Sequence, residues 1–388
     1  MLTLLAPLSL VVALWLWHPL LSIGKRYYLW TALITTMVGA LPAGLIWLAR
    51  NTDVSYALVA YLQVPSGWLF ASIVGAWLLA VVRDMVALLG WGMGSPQIAF
   101  ALWQPKYTLM GLSAMLLICG HAAVQGLRVP EVREHELRLA SLPPELDGLR
   151  IAVLADLHAS PVNNQFYVRE VVTRTNAAKP DLVVLPGDLV DGDANTQATD
   201  LAPLADLVAP YGVWAAPGNH EYYSGYDAWA TAFNKQGLAY LANRAHTIEI
   251  QGQRVTLSGV GDPAYHQRHG PGGGVPPDIV AVAQQAQSQG TQFHILLGHQ
   301  PKMAPQYAAA GSVHLQIAGH THGGHILGID QWVVARANKG YVRGSYEIED
   351  MMLFVSSGAG LWSGFTLRLG VPAAIDVLTL RSDKQKAL

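Results

Sequence analysis

The residues with the most chemical capacity in this chain stand in five short clusters. Asp156 and His158 lie in "ADLH", and Asp188 and Asp191 in "GDLVDG". Asn219, His220 and Glu221 lie in "GNHE", His299 in "GHQP", and His320, His322 and His325 in "GHTHGGH". Carboxylate, amide and imidazole groups make a mixed oxygen and nitrogen ligand set. No thiolate joins it, because the only cysteine, Cys119, lies in an apolar run. Such a set suits Mn²⁺, Fe, Zn²⁺ or Mg²⁺ and disfavours iron–sulfur clusters or cysteine-bound zinc. Asp156, His158, Asp188, Asn219, His299, His320 and His322 are too many ligands for one tetrahedral ion and suit two. Each cluster alone says little, since Gly-Asp commonly marks a turn and a lone histidine is commonly a surface residue. The ordered set is what points to a site.

The clusters share a structural context. From Leu149 onward, short β-branched runs alternate with helical patterns, which predicts α/β layering. The expected strands are 150–155, 181–186, 212–217, 254–260, 294–298 and 314–319, with a late pair over 345–357 and another at 374–380. Expected helices fall near 164–178, 199–209, 226–236, 278–289 and 302–310. Each of the five clusters directly follows one of these strands. In open α/β sheets, ligands bind beyond the carboxyl ends of the strands. Residues as distant in sequence as Asp156 and His322 are therefore expected to converge. "HGPGGGVPP" (269–277) reads as a flexible surface loop, not a phosphate cradle, because it does not lead from a strand into a helix.

The first third of the chain has a different character. Of 24 basic and 26 acidic residues, only Lys25, Arg26, Arg50, Arg83, Lys106, Asp53 and Asp84 fall in 1–127. Four apolar stretches, about 2–23, 28–49, 67–89 and 107–127, approach the roughly 20 residues that cross a bilayer. The first has no basic segment before it and no clear cleavage site after it, so a removed signal peptide is not expected. Lys25, Arg26 and Lys106 mark cytoplasmic loops by the positive-inside rule, whereas Arg50 and Arg128 oppose it. On balance the soluble part is expected outside the cytoplasmic membrane. Arg83 and Asp84 are ionisable groups inside a predicted span, and such groups are costly and often functional. The net charge of −2 gives no reason to expect a nucleic-acid partner. The expected organisation is a four-helix transmembrane region (1–127), a connector with an edge strand (128–148), a catalytic domain (149–380) and a frayed tail (381–388).

As a set, Asp-x-His, Gly-Asp-x-x-Asp-Gly, Gly-Asn-His-Glu, Gly-His and Gly-His-x-His resemble the calcineurin-like metallophosphoesterases over roughly 145–380. "LDGLRIAVLADLH", "GNHEYYSG" and "AGHTHGG" resemble its bacterial membrane-associated branch, some members of which carry several N-terminal spans. The resemblance implies a four-layer αββα sandwich and a bacterial inner-membrane location. It implies that Asp156, His158 and His322 hold one metal, that Asn219, His299 and His320 hold a second, and that Asp188 bridges both. It implies that His220 faces the scissile phosphate and that Glu221 supports it or satisfies local backbone. His325 stands where relatives usually have glutamine, Gln300 replaces a common asparagine, and "VPAAI" (371–375) lacks a common glutamate. A role behind the ligands or on the surface is expected for His325, and Asp191 is left between supporting and incidental.

Two divalent cations about 3.5–4 Å apart would share a hydroxide able to attack phosphorus in line with the leaving oxygen. Manganese is the favoured metal. The expected function is hydrolysis of a phosphomonoester, phosphodiester or pyrophosphate, with a lipid-linked substrate among the options because the spans confine the site near a bilayer. Two alternatives stay open: a broad nucleotide phosphodiesterase merely anchored by the helices, and a metal- or phosphate-binding sensor or transporter domain without turnover.

Overall fold

The computed structural model describes residues 2–267, 273–362 and 364–383. The chain divides into two compact units: residues 1–125 with 363–367, and residues 126–362 with 368–388.

The first unit is helical: α1 (Leu2–Trp17), α2 (Lys25–Asn51), α3 (Tyr56–Gly92), α4 (Pro96–Leu102) and α5 (Pro105–Leu127). Three of these, α2, α3 and α5, are long and apolar enough to cross a membrane. Four spans are expected from the sequence; among the described residues the first of them is the shorter helix. The first apolar stretch forms a 16-residue helix that stops before His18-Pro19, where the chain tightens into a 3₁₀ turn. Proline removes a backbone donor and clashes with the preceding turn, so the helix ends ahead of it. The third stretch is longer than expected, at 37 residues, with Pro65 inside the helix. Side chains in this unit are distributed inside-out. Large apolar residues such as Trp30, Ile34, Met37, Leu88 and Leu117 are exposed, whereas Ala13, Ala32, Ala60, Ala76, Ala80 and Ala122 are buried. Small residues at contacts between helices and large ones facing outward are what an apolar solvent selects, because lipid competes equally for large side chains.

The second unit holds two six-stranded sheets. In chain order the strands are β1 (Glu131–Leu139), β2 (Arg150–Val153), β3 (Leu182–Leu185), β4 (Val213–Ala215), β5 (Ala239–Tyr240), β6 (Arg244–Ile250), β7 (Gln253–Gly259), β8 (Phe293–Leu297), β9 (Leu315–Ala318), β10 (Gly344–Ile348), β11 (Met351–Val355) and β12 (Ala374–Ser382). One sheet is ordered β1-β12-β2-β3-β4-β5 and the other β10-β11-β9-β8-β7-β6. Strand pairing is parallel through β2-β3-β4 and through β7-β8-β9. Alternation along each strand separates the layers. Ile151, Val153, Leu182 and Val184 meet Leu257, Ile295, Leu297, Ile317 and Phe354 between the sheets. The opposite faces, Ala152, Leu154, Val183 and Leu185, pack under α6 (Gln165–Ala177) and α7 (Tyr226–Lys235), contributing Val168, Val171, Trp229 and Phe233. Val282 of α8 (Ile279–Ser288) and Tyr307 cover Leu296, Ala318 and Leu353 on the other sheet. The result is the four-layer αββα sandwich.

Some expected elements differ. Residues 198–206 form a 3₁₀ segment interrupted by Pro203 instead of an α-helix. The strand Arg244–Ile250 was not expected: it is a sheet edge whose polar residues Arg244, His246, Thr247 and Glu249 break the strict alternation of a half-buried strand. The expected loop at 269–277 lies partly outside the described residues, as does the end of the tail; Arg381 and Ser382 extend β12.

Leu378 lies fully buried between the sheets. Leu378→Ala is expected to lower the second unit's stability by about 3 kcal/mol, whereas Leu378→Met should cost less than about 1.5 kcal/mol. Matched thermal and denaturant unfolding of the purified full chain checks this ordering.

Candidate metal centre

The two runs of parallel strands end at one edge of the sandwich. Asp156 follows β2, Asp188 follows β3, Asn219 follows β4, His299 follows β8, and His320 with His322 follows β9. The two sheets are tied together at this edge. His299 Nδ1 lies 2.9 Å from the Pro186 carbonyl of the opposite sheet, and the His320 backbone N–H donates to Asp156 Oδ1 at 2.8 Å. Asp156, His158, Asp188, His320 and His322 all adopt positive φ, between 45° and 72°. Such backbone costs about 1–3 kcal/mol per residue and persists only where surrounding structure enforces it. Two glycines permit the crowding. A Cβ on Gly218 would meet the Asp188 carboxylate, and one on Gly319 would meet that of Asp156.

Three groups of ligand atoms come together: Asp156, His158 and His322; Asp188, His299 and His320; and His158, Asp191 and His220. Asp188 lies between the first two. Its Oδ2 is 3.1 Å from His299 Nε2 and 3.9 Å from His158 Nε2. Asp156 Oδ1 is 3.8 Å from His322 Nε2 and 3.9 Å from His299 Nε2. Asn219 joins the second group through Oδ1, which lies 2.8 Å from His320 Nδ1. Asp156, His158, Asp188, His299 and His322 are nearly or fully buried.

Electrostatics at this edge are extreme. Burial pushes the Asp156 carboxyl up. Burial alone would raise Asp188 as well, but the rings of His299 and His220 hold it well below the usual carboxylate range. His299 is pushed up to about 10: burial opposes its charge, and Asp188 and Asp156 more than offset that. His220 rises to about 9 in the same way, through Asp188 and Asp191. His320 falls to about 3, because it is buried beside His299. Buried carboxylates facing imidazoles require positive charge in their midst, from protons or from a cation.

The donors fit a pair of divalent cations. His158 and His322 present their Nε2 atoms to each other at 3.1 Å. His299 Nε2 is buried without a well-directed hydrogen bond, although Asp188 is near. The far edges of two of these rings are already engaged. Asp191 lies 3.0 Å from His158 Nδ1, and the Pro186 carbonyl holds His299 Nδ1. A ring that donates Nδ1–H turns its Nε2 lone pair to the metal, as second-shell acceptors commonly arrange.

Asp191 has a second partner, since its Oδ1 also contacts His220 Nδ1 at 2.5 Å. One carboxylate thus positions both a candidate ligand and the candidate catalytic ring. His220 is partly exposed, stands edge-on to His158 at 4.5 Å, and is flanked by Tyr223 and Trp362 at 5.5 and 5.9 Å. Glu221 does not reach the ring's reactive edge. Its carboxylate accepts the backbone N–H groups of Gly218, Leu189 and Asp188 at 2.7, 2.8 and 3.1 Å, clamping the loops after β3 and β4 together. His325 stacks on His322 at 4.7 Å. Sequence reasoning missed Arg368, a fully buried guanidinium that donates to the carbonyls of His322, Ser357 and Gly360. A single cation inside the apolar run "FTLRLGVPAA" was its only signal.

Residues 149–324 match the family model described as calcineurin-like phosphoesterase. An uncharacterised metallophosphoesterase of Campylobacter jejuni is 29% identical over 336 residues, covering 86% of this chain and 83% of that protein. One from Helicobacter pylori is 32% identical over 262 residues, covering 67% of this chain and 66% of its own length. A zebrafish protein named transmembrane protein with metallophosphoesterase domain is 26% identical over 283 residues, covering 71% of this chain and 63% of its own length. Residues 149–324 carry a calcineurin-like metallophosphoesterase domain, of the class of metal-dependent hydrolases of phosphoesters.

Replacing Asp191 tests its double contact. Asp191→Asn keeps the volume and is expected to weaken metal affinity about 10–100-fold. Titration of the metal-stripped protein with Mn²⁺, followed calorimetrically, measures this; affinity equal to wild type would make Asp191 incidental.

Proposed function

We propose that the second unit hydrolyses a phosphoester with two divalent cations, one held by Asp156, His158 and His322 and the other by Asn219, His299 and His320, with Asp188 between them. The observation that carries this reading is the position of Asp188, within 4 Å of a histidine nitrogen from each group. When bound, such a pair polarises the phosphoryl oxygens and lowers the pKa of a shared water toward neutrality. The chain's own groups do the rest. The folded edge holds the donors in place before substrate arrives, so little reorganisation is needed during reaction. His220, anchored at Nδ1 by Asp191, keeps Nε2 for a phosphoryl oxygen or for protonating the leaving alkoxide. Glu221 keeps the His220 backbone fixed relative to Asp188, whose Oδ1 accepts the His220 N–H at 2.8 Å. Manganese is the favoured metal.

The substrate is proposed to be lipid-linked. Three apolar helices and a relative named as a transmembrane protein support membrane association. Only 128–130 separate α5 from β1. We place the protein as a multi-pass protein of a bacterial inner membrane with the catalytic unit outside the cytoplasm. That side follows from Lys25 and Arg26 before α2 and Lys106 before α5, and does not depend on whether α1 spans. A C-terminal reporter active only in the cytoplasm would overturn it.

Turnover of bis-p-nitrophenyl phosphate with added Mn²⁺ tests the chemistry. Chelation should abolish activity and Mn²⁺ should restore it. Asp188→Ala is expected to reduce turnover at least about 10³-fold with loss of bound metal. His220→Ala should retain both metals yet lose about 10²–10⁴-fold in kcat. Metal loss in His220→Ala would reassign that ring as a ligand. No turnover with any divalent metal in folded protein would favour a binding domain.

A further inference from the structure

The Arg83–Asp84 pair lies in the helical unit, and phosphoester hydrolysis makes no use of it. Asp84 is well supplied with donors. Its Oδ1 accepts from Arg83 Nε at 2.8 Å and Trp103 Nε1 at 3.0 Å, and its Oδ2 from Trp15 Nε1 at 2.8 Å. His18 Nδ1 lies 4.0 Å from Oδ2. Arg83 is not so well satisfied. Its side chain is 8% exposed; Nε serves Asp84 and Nη1 donates to Thr108 Oγ1 at 2.7 Å, but Nη2 is buried with no acceptor. A charged donor shut away from water without a partner is costly, and it shows where an acceptor belongs.

A cavity of about 260 Å³ is lined in part by Arg83. Leu79, Val86 and Leu102 give it an aliphatic wall, and Arg83, Tyr107 and Thr108 line it as well. Its size is just under the usual range of about 300–1,000 Å³ for small-molecule sites, enough for a headgroup or part of one acyl chain. Aromatic rings crowd the ion pair: Trp15 against Trp77 at 6.1 Å, His18 against Trp103 at 6.0 Å, and Trp91 against Trp103 at 6.0 Å. Tryptophan and tyrosine collect where a membrane helix meets the headgroup region. An aliphatic wall with one unmet guanidinium donor beside it, and with tryptophans on the neighbouring Asp84, suits a molecule that is apolar at one end and anionic at the other.

We infer that this cavity binds an anionic membrane lipid, whose phosphate or carboxylate oxygen accepts from Arg83 Nη2 while its apolar part lies on Leu79, Val86 and Leu102. The inference rests on the membrane association of the helices and is independent of the hydrolytic chemistry. Asp84 does not repel the anion strongly, because its charge is already engaged by Arg83 Nε and two indole N–H groups.

The test uses the full chain in detergent, titrated with phosphatidylglycerol, phosphatidylcholine or inorganic phosphate, with bound adducts counted by native mass spectrometry. Wild type is expected to hold phosphatidylglycerol at least about ten-fold more tightly than phosphatidylcholine, because both offer a phosphodiester oxygen but the quaternary ammonium of choline brings a like charge up to the Arg83 guanidinium. Arg83→Gln should remove that preference. Because Arg83→Gln also disturbs Asp84, Gly111→Leu supplies an independent arm. Gly111 lines the cavity, and a Cβ there would meet only Leu79 Cδ1, at 3.8 Å. Replacing a helical glycine favours the helix, and the larger side chain fills the cavity while leaving the ion pair intact. It too should weaken phosphatidylglycerol binding about ten-fold. Unchanged binding in Gly111→Leu, or equal retention of both lipids by wild type, would overturn the site. Tight binding of inorganic phosphate alone would make it a site for a soluble anion and overturn the lipid assignment.

Discussion

Burying carboxylates among imidazoles is the constraint on which the catalytic unit depends. Asp156 and Asp188 are withdrawn from water at the sandwich edge, and each faces histidines from more than one strand. Isolated, such charges would be prohibitive in an apolar interior. They are tolerable only if positive charge sits among them, and the raised His299 and His220 show how strongly the edge demands it. Everything around the edge serves to keep these groups together. The left-handed backbone, the bare glycines at 218 and 319, and the cross-sheet contact of His299 with Pro186 all resist its opening.

Two carboxylates do quieter work. Glu221 ends on three backbone N–H groups, so it acts as a clamp between loops; burial and the Asp188 charge push it up to about 7. Asp191 is shared between His158 and His220. That sharing couples the orientation of a candidate ligand to that of the ring proposed to act on substrate. A change felt at one would be transmitted to the other without any motion of the sheets.

The helical unit solves the opposite problem with opposite residues. Many of its alanines, such as Ala32, Ala60 and Ala76, are buried, whereas large residues such as Trp30, Leu88 and Met37 are exposed. Where it does bury charge, at Asp84, it surrounds the carboxylate with indole and guanidinium donors. In both units a buried carboxylate is surrounded by donors.

The layering of the second unit was legible in the sequence because its central strands are buried on both faces and read as unbroken apolar runs, such as "LVVL" and "HILLG". The residues of the five clusters were legible as well, because unusual types stood directly after those runs. The edge strand Arg244–Ile250 was not, since its polar residues break the strict alternation of a half-buried strand. Nor was the end of the first helix, which turns on where a proline interrupts an apolar stretch that hydropathy alone treats as continuous. Arg368 was silent for another reason: its five-donor head matters only through carbonyls brought in by distant segments. Linear order determined which chemical groups the protein owns and at which strand ends they sit. Their mutual distances, the shared contacts of Asp191 and the clamp of Glu221 were decided by tertiary packing, because each depends on loops that only the closing of two sheets brings within hydrogen-bond range.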